Sequence, residues 1–244
     1  MKVGLFVPCY INELFPEVAK DTALLLRNLG VNLEIPRNQT CCGQPFLNSG
    51  YESSLPQNFE EIFKKYDYIV APSSSCVATI REANLSVSNK TFELVEFLHD
   101  ILQIRNLAKN HPPIILHNSC HSLRALLEAT PSELNIPYFN KVKNVLGCKV
   151  LEAKRDECCG FGGIFSVKEG FISYVMGKSK LDDLLNKDNL KEINDTPIIT
   201  GVDMSCLMHL KGVAEKENIK ADFKHIATIL RAVSYTHLTL PTKA

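Results

Sequence analysis

Short apolar runs alternate with longer amphipathic stretches along most of the chain. Lys2–Pro8 (KVGLFVP) is rich in β-branched and aromatic residues and predicts a strand. Glu13–Leu29 carries Leu14, Val18, Leu25, Leu26 and Leu29 at helical spacing and closes on Gly30, which predicts a helix. Val31–Ile35 predicts a second strand, Phe59–Tyr66 a short helix and Tyr68–Ala71 a third strand. Strands that alternate with helices imply a mostly parallel sheet covered by helices.

The same order of elements occurs twice. Lys2–Cys9 (KVGLFVPC) and Ile114–Cys120 (IILHNSC) are apolar runs ending in cysteine. Val31–Gly43 (VNLEIPRNQTCCG) matches Cys148–Gly160 (CKVLEAKRDECCG), and Tyr68–Cys76 (YIVAPSSSC) matches Ile198–Cys206 (IITGVDMSC). Each half then continues into a helical segment, Glu93–Ile104 in the first and Phe223–Arg231 in the second. The expected fold is α/β, two pseudo-twofold-related Rossmann-like halves of about 110 residues each with mostly parallel sheets. The halves are placed at residues 1–110 and 111–232, joined near Asn106–Pro113.

Composition narrows the function. The chain has 244 residues, 45% of them apolar, and no net charge, so it can bury a core and shows no basic stripe for nucleic acid. The apolar runs are far shorter than a membrane span, and the N-terminal one is too short for a signal peptide. A cytoplasmic protein is expected. In that reducing compartment nine cysteines point to metal or redox chemistry rather than to disulfides.

Eight of the nine fall into two sets. Cys9, Cys41, Cys42 and Cys76 form one, and Cys120, Cys158, Cys159 and Cys206 the other. Cys148 reads as an inert core thiol. In open α/β sheets, ligand groups gather at the carboxyl ends of strands, which is where Cys9, Cys76, Cys120 and Cys206 fall. Four thiolates suit an iron–sulfur cluster or a zinc site and disfavour hard cations. Adjacent side chains tend to diverge, so the pairs Cys41-Cys42 and Cys158-Cys159 favour a multi-iron cluster over one tetrahedral zinc. The glycine after each pair permits unusual dihedrals and close approach of backbone.

Cys41-Cys42-Gly43 and Cys158-Cys159-Gly160, with their flanking cysteines, resemble the cysteine-rich CCG domain. That domain occurs in heterodisulfide reductase, in the iron–sulfur component of glycolate oxidase and in the lactate utilization protein A family. The chain is most similar to the last. The matching segments are Phe6-Val7-Pro8-Cys9, Thr40–Pro45, Ala71–Cys76, His117–Arg124 and Cys158–Gly163. The resemblance implies an iron–sulfur subunit of a cytoplasmic complex oxidising L-lactate to pyruvate. It also implies one or two [4Fe–4S] clusters on the eight cysteines, with a ferredoxin-like iron–sulfur protein and a third small subunit as partners. Heterodisulfide reductase motifs end in Cys-x-x-Cys, whereas Ser73 and Asp203 stand at the earlier of those positions here. A thiol/disulfide redox subunit and a zinc-stabilised scaffold without electron transfer are the alternatives.

His121 and Arg124 are the candidate catalytic residues, as a proton carrier and a carboxylate-binding fork. His117 and His209 are weaker candidates for the histidine role. Gly160-Phe161-Gly162-Gly163 lacks the dinucleotide fingerprint. The segment 233–244 matches nothing in the repeat. Val233–Thr242 reads like an in-frame translation of a sequencing-library adapter, and it is expected to be a non-native, poorly packed tail.

Overall fold

A computed structural model of the chain describes residues 1–51 and 59–238, the last four by backbone alone. The first half runs β1 (Lys2–Leu5), α1 (Cys9–Leu14), α2 (Pro16–Asn28), β2 (Asn32–Glu34), α3 (Gln44–Leu47), α4 (Phe59–Phe63), β3 (Tyr68–Ala71), α5 (Ser74–Glu82), β4 (Thr91–Glu93) and α6 (Leu94–Glu96). The second runs β5 (Ile114–Leu116), α7 (Lys141–Leu146), β6 (Val150–Glu152), α8 (Ile164–Lys168), α9 (Gly170–Leu184), α10 (Lys187–Leu190), β7 (Ile198–Gly201), α11 (Met204–Lys216), β8 (Asp222–His225) and α12 (Ile226–Leu238).

Each half holds a four-stranded sheet, ordered β2-β1-β3-β4 and β6-β5-β7-β8, with every pairing parallel. The duplication seen in the sequence is therefore a duplication of topology. Two expectations need correction. The single helix expected over Glu13–Leu29 is broken, because Phe15 precedes Pro16 and adopts φ −138°, ψ 51°. A residue before proline is driven out of the helical region, and proline then suits the first turn of the next helix. The fourth strands β4 and β8 lie where helix was expected from Glu93 and Phe223. They are three- and four-residue edge strands whose pattern merges with the helices that follow.

One apolar core spans both halves. Val3, Leu5, Leu25, Leu26, Val70 and Leu98 pack in the same cluster as Ile114, Leu116, Val142, Leu146, Ile226 and Leu230. The last helix crosses back to the first half, where Arg231 pairs with Asp21 at 3.0 Å. Val233 is partly buried against this core, and Ser234 is buried and accepts a hydrogen bond from Asn28. The side chains of the rest of the segment expected to be a foreign tail lie outside the described residues. Among the described residues no helix is long and apolar enough to cross a membrane.

A second bond between the halves is acidic. Glu93 at the end of β4 and Glu128 are fully buried and interact with each other. Ser122 Oγ donates to Glu128 at 2.6 Å and the Val95 amide to Glu93 at 2.5 Å, but one oxygen of each carboxyl has no donor among the described residues. A shared proton supplies it, held on Glu93, whose pKa burial pushes well up. Burial also raises Glu128 to about 7, against the hydrogen bonds from Ser122 and Glu93. The native state thus binds a proton that the unfolded state releases near pH 4.5. Stability from this group is complete below that pH and is lost as pH rises through about 7. The loss is on the order of 3 kcal/mol. Glu128→Gln is expected to flatten this slope, raising the urea midpoint at pH 8 relative to the parent chain.

Candidate metal centre

The carboxyl edges of both sheets face one another across a cavity of about 360 Å³. All eight paired cysteines line it, together with Tyr10, Gln44, His121, Phe161, Ile164 and Asp203. Local sequence explains each position. Cys9 opens α1 directly after β1, and Cys120 follows β5. Cys76 and Cys206 lie in the first turns of α5 and α11, one step beyond β3 and β7. The helix dipole favours negative charge there.

The Cys-Cys-Gly loops close each set from the β2 and β6 sides. Gly43 and Gly160 adopt φ +90° and +87° and point their amides back at the first cysteine of the pair. Gly43 N lies 3.4 Å from Cys41 Sγ, and Gly160 N lies 3.3 Å from Cys158 Sγ. A side chain at Gly160 would also meet Ser173 O at 2.7 Å, so backbone packing reserves this position for glycine.

The sulfurs form two matched rows. Cys9 Sγ lies 3.4 Å from Cys41 Sγ, Cys41 interacts with Cys42, and Cys42 with Cys76. Likewise Cys158 interacts with Cys120 and Cys159, and Cys159 with Cys206. Vicinal thiols thus stay together rather than diverging, contrary to the sequence argument for a cluster. Within each row one thiol carries the charge. Hydrogen bonds from Cys42 and Cys9 hold Cys41 down to about 2, and those from Cys120 and Cys159 do the same for Cys158. Their neighbours are pushed up, Cys9 and Cys42 first by hydrogen bonding to Cys41, and Cys120 by hydrogen bonding to Cys158. Four thiolates this close repel, so full deprotonation of a row requires a multivalent cation to neutralise it.

Asp203 joins the rows. It is buried, forms an antiparallel bridge with Ser73, and accepts from Ser75 N at 2.9 Å, Ser74 Oγ at 3.1 Å, Tyr10 Oη at 3.1 Å and Ser205 Oγ at 2.6 Å. Burial alone would raise its pKa, but the donors from Ser205 and Ser75 hold it below the usual carboxylate value. The two positions that depart from Cys-x-x-Cys therefore bind the halves together. Sequence reading noticed the departure and missed this role, because the partners lie about 130 residues apart.

The other candidates fall unevenly. His121 lines the cavity, with its Nε2 3.4 Å from Gln44 Nε2 and its Nδ1 3.8 Å from Cys120 Sγ. Arg124 is not among the lining residues; it forks onto Glu133 at 2.6 and 3.0 Å on the exposed surface. His209 is satisfied by Ser173 O at 3.2 Å and lies tilted beside Phe161, ring centroids 6.0 Å apart. Cys148 is half-buried against the core, away from both rows. His117 lies behind the second row, fully buried.

Comparison with known proteins agrees with this geometry. The CCG family, described as a cysteine-rich domain, matches residues 3–81 and 114–211, one segment in each half. Lactate utilization protein A 1 of Bacillus mycoides is 34% identical over 94% of this chain and 96% of its own length. Lactate utilization protein A of Shouchella clausii is 34% identical over 95% and 99%, and that of an Exiguobacterium species 36% over 93% and 96%. With both cysteine segments matched and relatives aligned end to end, this chain belongs to the lactate utilization protein A family of CCG cysteine-rich domain proteins.

Proposed function

We propose that the chain is an iron–sulfur redox subunit of a cytoplasmic system that oxidises L-lactate to pyruvate. Its partners in this reading are a ferredoxin-like iron–sulfur protein and a third small subunit. The observation that carries the reading is the pair of matched thiol rows lining one cavity. The donor set fits soft metal, and each row needs cationic charge to ionise fully. The cavity is also much roomier than one zinc ion with sulfurs at about 2.3 Å requires. Cys9, Cys41, Cys42 and Cys76 would hold a cluster in the first half, and Cys120, Cys158, Cys159 and Cys206 one in the second. Bound there, a cluster supplies one-electron transfer.

The chain's own groups shape that chemistry. The Gly43 and Gly160 amides donate to sulfur and stabilise negative charge on it. Phe161, Ile164 and Val167 make part of the wall apolar and limit water. L-lactate releases two electrons and two protons on becoming pyruvate. His121 is the cavity-lining base able to hold one of those protons, on an imidazole nitrogen beside Gln44. The test is the three-component complex, assembled anaerobically and given L-lactate. The expected result is bleaching of the visible absorption of this chain with formation of pyruvate. No bleaching with lactate, combined with reoxidation by a disulfide substrate, would replace this reading with the thiol/disulfide one.

A further inference from the structure

The two rows are alike in sulfur and differ in one nitrogen. In the first sheet Gly4 and Leu5 pair with Ile69 and Val70, and the Phe6 amide continues the ladder to Val70 O. In the second, Ile115 and Leu116 pair with Ile199 and Thr200, and the His117 amide continues to Thr200 O. His117 is thus the register counterpart of Phe6. Phe6 is closed in by aromatic side chains, with ring centroids 5.1 Å from Phe59 and 5.9 Å from Phe63. His117 is 1% exposed, yet neither ring nitrogen has a hydrogen-bond partner among the described residues. A ring nitrogen of His117 and the sulfurs of Cys159 and Cys206 all lie within 4.8 Å of one another.

A buried imidazole left wholly unpaired is costly, and such groups signal a missing partner. A neutral imidazole nitrogen with no hydrogen-bond partner offers its lone pair to a metal. Imidazole and thiolate commonly share borderline and soft metals. We infer that His117 is a metal ligand of the second half, completing a mixed imidazole–thiolate site with Cys159 and Cys206, whereas the first half binds through thiolates alone. This rests on the second row holding metal, as in the proposed function, and adds an inequivalence between the rows. A neutral imidazole brings less negative charge than a thiolate, so exchanging it for cysteine lowers the reduction potential of the second centre.

The test needs no activity. The holoprotein is prepared with ¹⁵N-histidine and with ¹⁴N-histidine, reduced, and studied by pulsed electron paramagnetic resonance. A nitrogen coupling that changes with the label is expected. It should vanish in His117→Cys while metal is retained, and survive in His121→Gln. One of the two reduction potentials should fall in His117→Cys and the other stay unchanged. Absence of histidine coupling in the parent protein, or its persistence in His117→Cys, overturns the assignment. A protein that holds zinc and no sulfide defeats the redox reading instead. X-ray absorption at zinc then judges His117 separately, mixed nitrogen and sulfur ligation supporting it and sulfur alone refuting it.

Discussion

Replacing Cys41 or Cys158 with serine is expected to remove about half of the bound iron, and replacing both to remove nearly all of it. Each is the sulfur that its row is organised around. Cys41 interacts with Cys9 and Cys42, and Cys158 with Cys120 and Cys159. Each also accepts an amide from the glycine that follows its pair. Among the cysteines, Cys9 feels Cys41 and Cys76, and Cys120 feels Cys158 and Cys206, each within its own row. The proposed reading therefore expects two separate centres, although the rows share a cavity. Serine is a hard, weakly acidic donor and a poor substitute for a thiolate on iron. Iron analysis of the purified variants checks this. Complete loss of iron in either single variant would mean one centre held jointly by both rows.

The largest effect on folding is expected at Asp203. Asp203→Ala removes a carboxylate that six donors serve, from Tyr10, Ser73 and α5 of the first half and Ser205 of the second. Those donors are left facing one another in a buried site. Leaving a buried donor without its acceptor costs about 1–3 kcal/mol, and several donors lose theirs at once here. A fall of that size in unfolding free energy of the metal-free chain is the expected result, read from urea melts. Asp203→Asn keeps the shape and some of the acceptor capacity and should lose less. An Asp203→Ala chain as stable as the parent would show that the bridge to Ser73 holds nothing together.

Much of this was legible in the residues because it is local or repeated. Apolar runs at Tyr68–Ala71 and Ile198–Gly201 are buried central strands, and their composition says so. The Cys-Cys-Gly turns announce themselves twice. What escaped is tertiary. The β4 and β8 edges are too short for periodicity to register. Glu93 and Glu128 look like ordinary surface acids until the fold buries both. Arg124 sits in the segment resembling the family, yet its guanidinium has an acidic partner nearby in the chain, Glu133. His117 resembles any histidine at a strand end; only the packing around it shows that both its nitrogens lack partners among the described residues.

In the proposed reading the two rows hold iron and inorganic sulfide. Quantifying iron, zinc and acid-labile sulfide in the anaerobically purified chain, beside the Cys41→Ser/Cys158→Ser variant, tests it most directly. Iron and sulfide are expected in near-equal amounts in the parent, with a brown colour that dithionite bleaches, and neither element in the variant. A colourless parent that carries zinc without sulfide would contradict that reading.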